Sequence, residues 1–440
     1  MKKKVAVIGA GFTGMAAAYR LVKAGAEVTL YEKESSIGGL AGGFSMNGMP
    51  LEKAYHFLYK TDSHILGLAE EAGVREKLVF HKSSIVSYDH GKYYPFMTPV
   101  DLLKFTPLPF LDRIRTGAVA LYLSKLTNWK PLSKVTAYDW LRKWAGRAAT
   151  DVIWEPLLRG KFNKYYQQVS MSWLWRRIQI RALSKEPGES TERLGYFKGG
   201  FMTLVNAVEQ GIHGFGGTIR LDQSIDAIES DAGGNGAILV VDGERRRYDA
   251  IIATTPSNVF AKLIEKDASA PAEYLSKLRS IDYLGAIVMV FVSDQRLTEY
   301  YWHNINDPEV PFLVFLSTSE LVGSEAFGGK HVYYIGAYVP DDHEYFSWDA
   351  ASIMSEWKAA LKKMYPAFDG SMIAGERLFR FRNAQHIVGT DYDGKIVPYE
   401  SPIKNVYISN FSQIYPDDRG TNYAVEEGNK VSSLVLKSLT

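Results

Sequence analysis

Three glycines and one acid near the start of the chain carry the plainest chemical signal. Gly9, Gly11 and Gly14 form a G-x-G-x-x-G turn, and Glu32 follows Gly9 by 23 residues. The first glycine permits a tight turn, the second lets a pyrophosphate touch the backbone, and the third lets a helix pack closely on a strand. A helix that starts at such a turn offers unpaired N–H groups and partial positive charge to phosphates. An acid at this distance is placed to accept hydrogen bonds from a ribose. The chemistry implied is dinucleotide binding.

The elements that must hold those residues are legible around them. Residues 5–8 are an apolar, β-branched run that reads as a buried parallel strand. A helical pattern follows, with Met15, Ala18, Leu21 and Val22 on one face, and stops at Gly25. Residues 28–31 read as a second strand, ending on Glu32. This strand–turn–helix–strand setting is what makes the motif specific. A second glycine run, Gly38, Gly39, Gly42 and Gly43 around Leu40, comes almost at once. Two backbone surfaces so close together suit a long dinucleotide passing in extended form.

At these residues the chain resembles the FAD-dependent amine oxidase, protoporphyrinogen oxidase and phytoene desaturase superfamily, with UDP-galactopyranose mutase as an outlying relative. The shared pattern is the dinucleotide turn, the acid, then Gly-Gly, usually followed by Arg. Leu40 stands in the place of that Arg, which leans away from the amine oxidase branch. The resemblance implies non-covalent FAD, with Phe12, Thr13 and Lys33 joining the motif residues. It also brings Tyr55 and His56 to the flavin ring. The stretch from Gly195 to Met202 resembles the return of the chain to its FAD domain. The resemblance then reads 217–221 and 224–228 as the strand pair that holds adenine, with Ile225 at that position and Thr254 near the phosphates. At the C-terminus Asn410 stands where relatives carry Gly-Asp facing the ribityl chain. Asn422, Tyr423 and Ala424 open a last helix whose N-terminus points at flavin N1 in relatives, where its dipole favours a reduced flavin.

Composition bounds the rest. The 440 residues exceed one compact core, and 46% hydrophobic with 23% charged residues are globular values. A formal net charge of +2, with no basic run longer than Lys2–Lys4, gives no footprint for nucleic acid. The absence of cysteine excludes disulfides, thiol catalysis, Cys-ligated metals and a cysteinyl flavin link, and no metal site is read. The chain enters its first strand directly and holds no apolar run of bilayer-spanning length, so the expectation is a cytoplasmic protein without a leader. The 27 Tyr and 9 Trp fit a large ring-lined cavity.

Residues 85–94 alternate around Asp89-His90-Gly91 and read as a hairpin. Residues 99–126 are apolar and helical, interleaved with Lys104, Arg113, Arg115 and Lys125; they fit a membrane-surface segment or a lid and helix pair. Helical signals continue over 138–146 and 151–158. Arg159, Lys161 and the run from Trp173 to Arg181 mix cations with rings, which suits either a solvated amphipathic helix or a pocket for an anion. Arg159, Arg177 and Tyr415 are the substrate-binding candidates; His56, Arg419 and Tyr423 are the catalytic ones. Segments 283–292, 310–317 and 332–339 read as strands, joined by a helix over 350–364. Relatives that oxidise amines carry a lysine in the first of these strands. None is present here, so amine oxidation is not expected.

The fold expected is α/β: a Rossmann-type FAD-binding domain (1–85, 195–270, 386–440) with a second, mixed α+β substrate domain (86–194, 271–385). The function expected is an FAD-dependent oxidoreductase taking a hydride to flavin N5 from a large substrate that is anionic, lipid-linked or amphipathic. A non-redox sugar mutase is the alternative, separable by dithionite-dependent conversion of a UDP-sugar. A flavin-bound assembly protein on a membrane is a third, separable by turnover with oxygen.

Overall fold

The computed structural model describes residues 2–185, 191–234 and 236–439. Its first sheet has five parallel strands in the spatial order Val406–Ile408, Ala250–Ala253, Lys4–Ile8, Glu27–Tyr31, Thr218–Arg220. Val5 pairs with both Val28 and Ala250, so the apolar run sits at the centre of the sheet and is fully buried. Helix Met202–Gly214 and a closely packed pair, Phe12–Lys23 and the final Thr421–Leu439, cover one face. The pair approaches closely because Gly428 lies at the contact; a Cβ there would stand 2.4 Å from the Thr13 carbonyl oxygen. A small antiparallel sheet of Ile225–Ser230, Ala237–Val241 and Glu244–Tyr248 lies alongside.

Residues 217–221 and 224–228, read as one strand pair, belong to different sheets. Thr218–Arg220 runs parallel to Glu27–Tyr31, while Ile225–Ser230 pairs with Ala237–Val241. Asp222, at φ 53°, turns the chain between them, and the backbones of Asp222 and Gln223 donate to the carbonyls of Glu34 and Glu32.

A seven-stranded sheet forms the other half. Its order is Ile373–His386, Tyr283–Ser293, His331–Val339, Val314–Ser317, Trp302–Ile305, Ile85–Asp89, Lys92–Pro95. The hairpin at 85–95 completes a sheet whose remaining strands lie about 200 residues later in the chain. Helix Ala350–Met364 closes the back, with Ile353, Trp357 and Leu361 fully buried. Strand Ile373–His386 is the longest in the sheet and has no clean signal in the sequence, because arginines 377, 380 and 382 break its apolar alternation.

The helical insert comprises Pro99–Lys104, Phe110–Lys125, Ala137–Trp144, Glu155–Phe162 and Met171–Leu183. Its first helix carries a capping box: Asp101 N donates to Thr98 Oγ1 at 3.1 Å and Thr98 N to Asp101 Oδ2 at 2.8 Å. Residues 151–158 do not form one regular helix. Thr150–Trp154 is a wide π-type turn leading into Glu155–Phe162. Pro156 has no N–H for the Val152 carbonyl, and Asn306 Nδ2 donates to that carbonyl at 3.0 Å instead. Phe110 and Leu111 are 59% and 78% exposed on the insert surface. No helix among the described residues is long and apolar enough to cross a membrane.

Candidate functional site

Strand Lys4–Ile8 delivers the chain to Gly9, and helix Phe12–Lys23 starts with Gly11 as its N-cap and no side-chain cap. The first-turn N–H groups therefore remain available to an outside acceptor. Gly14 cannot be replaced without displacement, since a Cβ would stand 1.9 Å from the Gly9 carbonyl oxygen. Thr254 locks the same turn by donating to the Ile8 carbonyl at 2.8 Å. Glu32 is buried; its Oε2 accepts from Ala10 N at 2.7 Å and its Oε1 from Glu34 N at 3.0 Å. Each oxygen keeps acceptor capacity for a hydroxyl.

The second glycine run is sewn to the first. Gly38 N donates to Ala10 O at 2.8 Å, and a Cβ on Gly39 would stand 3.0 Å from Gly11 Cα. Beside Gly11 itself a Cβ would meet nothing within 4 Å. Two abutting backbone surfaces with open space at the middle glycine fit an extended dinucleotide such as FAD. Phe12 and Thr13 are buried in the first helical turn, and Lys33 is exposed beside Glu34.

Beyond this turn lie two cavities. The larger, about 250 Å³, is bounded by the 55–62 loop, helices Glu155–Phe162 and Met171–Leu183, the front of the seven-stranded sheet, and residues 418–423. The smaller, about 50 Å³, runs from Leu40 to Ala286 and Phe381. Tyr55, His56, Tyr338 and Arg419 line both. His56 Nδ1 lies 2.8 Å from Ala54 O. Burial drives its pKa down to about 4, against the help of that carbonyl, so the ring is neutral at pH 7. Arg419 donates from Nε to Gln385 Oε1 at 2.8 Å and from Nη2 to the Tyr338 hydroxyl at 2.6 Å.

The larger cavity has a charged wall. Lys161 Nζ donates to the buried Asp418 Oδ2 at 2.6 Å, and Arg177 approaches the same oxygen to 3.7 Å. Burial alone would raise the Asp418 carboxyl, but Lys161, Arg177 and Arg419 hold it well below the ordinary range. Burial pulls Lys161 down while Asp418 opposes this. Asp62, which accepts from Tyr59 N at 2.8 Å, is raised to about 6 by burial. Phe57, Leu157, Ile180, Trp302 and Leu313 supply the apolar remainder.

The structure brings His56, Arg177, Arg419, Asn422 and Tyr423 to one cavity. It places other candidates elsewhere. Arg159 lies outside the cavity lining, donating to Glu155 and to the Tyr166 hydroxyl at 2.6 Å each, with its side chain 55% exposed. Tyr415 packs into the insert, its hydroxyl 2.9 Å from Ser172 Oγ. The Asn410 side chain is consumed internally, donating to Thr255 O at 2.8 Å and accepting from Ser412 N at 2.8 Å. Asn422 Oδ1 accepts from the backbones of His64 and Ile65, so it caps helix Ser63–Glu71. Ile225 is half-buried at the start of its strand, and Ala424 lies in the first turn of the last helix. Sequence reasoning did not single out Asp418 or Asp62, and it named Lys161 only among the cations of a candidate anion pocket. Lys161 is two residues from Arg159, about 200° around the helix, and so on the opposite face. Asp418 directly precedes the candidate Arg419, and that adjacency was its mark in the sequence.

A family model described as flavin containing amine oxidoreductase matches residues 12–407. The chain is 22% identical to coproporphyrinogen III oxidase of Staphylococcus aureus over 320 residues, 66% of this chain and 68% of that one. Plant protoporphyrinogen oxidases from Nicotiana tabacum and Arabidopsis thaliana match over 32% of their own length. Among solved structures, a protein of Exiguobacterium sp. 255-15 assigned to protoporphyrinogen oxidase superimposes with TM-score 0.79 at 17% identity, covering 99% of each chain. Reduced UDP-galactopyranose mutase does so with TM-score 0.77 at 16% identity, over 99% of this chain and 94% of that one. At such identities the structural likeness establishes the fold alone.

Proposed function

The chain belongs to the flavin containing amine oxidoreductase family, and from that premise we propose that this FAD-dependent oxidoreductase takes a hydride from a large substrate bearing negative charge. FAD, when bound, supplies the hydride-accepting chemistry. The proposed cradle is Gly9, Gly11 and Glu32, the run from Gly38 to Leu40, and the residues around His56 and the start of helix Thr421–Leu439. The protein's share is to orient the substrate, exclude water and hold charge.

One observation carries the substrate reading: the larger cavity joins a cationic wall of Lys161, Arg177, Arg181 and Arg419 to apolar Leu157, Ile180 and Trp302, and shares its inner wall with the cavity at Leu40. Guanidinium and ammonium groups suit carboxylate or phosphate, and apolar walls suit a ring or polyisoprenoid surface, at about 25 cal/mol per Å² buried. Amines are a poor match to this cavity. Ala286 and Val288 line the smaller cavity from strand Tyr283–Ser293, the strand in which amine-oxidising relatives are expected to carry lysine. The sugar-mutase alternative is not favoured, since its support is likeness of fold while the family match is to oxidoreductases.

The test is anaerobic reduction of the FAD-loaded protein by a substrate panel, read as loss of flavin absorbance. Coproporphyrinogen III, the molecule in the S. aureus relative's name, and other polycarboxylate or phosphorylated apolar compounds are expected to reduce it. Primary amines and polyamines are expected to leave it oxidised. Reduction by amines alone would overturn the reading. The face carrying Val100, Phe110, Leu111 and Leu121, each more than half exposed, supports contact with a membrane surface, which co-sedimentation with anionic vesicles would test.

A further inference from the structure

Of the four side chains that line both cavities, Tyr55, His56, Tyr338 and Arg419, Arg419 is the one that brings a full charge. His56 is held neutral by burial, and burial pushes the Tyr55 phenol far above its ordinary value. The guanidinium is fixed in place by Gln385 Oε1 at 2.8 Å and the Tyr338 hydroxyl at 2.6 Å. Both partners are neutral, so orientation is gained without cancelling the charge. The adjacent carboxylate does not cancel it either. Asp418 is bonded to Lys161 at 2.6 Å and lies 3.7 Å from Arg177, and all three cations act on that single group. Positive charge is left over at the shared wall, in a setting of low dielectric where it acts strongly.

Resting on FAD as the cofactor, we propose that Arg419 raises the electron affinity of the bound flavin, as a fixed positive charge for the electron pair that arrives with the substrate hydride. In that step the substrate C–H bond breaks, its hydrogen and both electrons pass to flavin N5, and one negative charge is added at the cofactor. The substrate carbon is left two electrons short, and a proton leaves the substrate to restore neutrality. A charge already oriented before the step stabilises the product state without reorganisation. This role differs from anchoring an anionic substrate, which is open to Lys161 and Arg177, cations that line the larger cavity and not the smaller.

The distinction is read with no substrate present. The FAD-loaded wild type, Arg419→Gln and Arg419→Lys are each titrated for midpoint potential and for affinity toward sulfite, an anion that adds to flavin N5. R419Q is expected to lower the equilibrium ratio of reduced to oxidised flavin about tenfold, which is about 30 mV for a two-electron couple, and to weaken sulfite binding by a similar factor. R419K keeps a cation and is expected within about threefold of the wild type. Wild-type potential and sulfite affinity in R419Q would overturn the proposal, even if that variant no longer bound substrate. Equal losses in R419Q and R419K would also overturn it, because charge would not be the agent. Should R419Q fail to retain FAD, a tenfold drop in R419K alone is decisive against it. A wild-type protein that takes up no FAD would fail the cofactor reading first, a result seen before any variant is made.

Discussion

At the turn after strand Lys4–Ile8 recognition is built from backbone atoms, whereas across the larger cavity it is built from side chains. Gly9, Gly11 and Gly14 lie within six residues; Gly9 and Gly14 close the turn tightly, and Gly11 leaves open space beside its backbone. Lys161, Arg177 and Asp418 come from two helices and a loop more than 200 residues away, and meet around one carboxylate. A backbone surface is secured by local conformation, so its neighbours can vary. A side-chain cluster depends on each member to neutralise the others, so loss of one leaves charge stranded.

The sharpest way to break this contrast is Lys161→Met. It leaves Asp418 buried without its closest cation and is expected to cost about 3–5 kcal/mol of folding stability, read by denaturant titration. FAD affinity per folded molecule is expected to stay unchanged; a matching loss would merge the two regions into one unit. The acid limb sharpens it. Because Asp418 is held low in the folded state, its stabilisation is complete above the unfolded value of about 4 and drains away as pH falls below it. K161M is expected to flatten that limb.

Asp62 runs the other way. With its folded value raised to about 6, it favours the folded state when protonated, and its ionised form costs stability that is fully felt above about pH 6 and absent below about pH 4. Asp62→Asn is expected to stabilise the protein by up to about 3 kcal/mol near pH 8 and to have no effect near pH 4. Equal melting temperatures of variant and wild type at both pH values would contradict this.

On the backbone side, Glu32→Ala removes the one acid and is expected to weaken FAD binding by about 1.5–3 kcal/mol, with flavin content after dialysis as the measurement and cavity stability untouched. The smallest effect belongs to Arg159→Met. With its side chain 55% exposed and paired to Glu155, it is expected to change stability by no more than about 1 kcal/mol and to leave substrate reduction of the flavin at the wild-type rate. A large loss there would return Arg159 to the substrate site.

This contrast also explains what could be read before folding. The dinucleotide turn was legible because its information is local: a short continuous apolar run, three glycines and an acid at a set distance. The charged cavity was half legible. Arginines near rings marked the segment, but choosing Arg159 over Lys161 needed the face of a helix that only packing decides. Asn410 and Asn422 were placed at the cofactor by likeness to relatives; packing shows in addition that their side chains bind Thr255, Ser412 and the start of helix Ser63–Glu71, with Asn422 also on the cavity lining. Strand Ile373–His386 was hidden by its arginines, one of which, Arg380, donates to the carbonyls of Tyr345 and Trp348 rather than facing water.

The wide turn at Thr150–Trp154 sets the rotational phase of everything after it. An α-helix advances about 100° per residue, so a turn that holds an extra residue fixes which side chains of Glu155–Phe162 look into the cavity. Pro156 keeps the turn open, and Asn306 holds its freed carbonyl from the facing sheet. A regular α-turn holding the same residues would rotate the helix by about 100° and bring Gly160 to the place of Lys161. The specificity of this cavity is therefore addressed by the winding of that turn as much as by residue type, and one residue is the unit of its retuning.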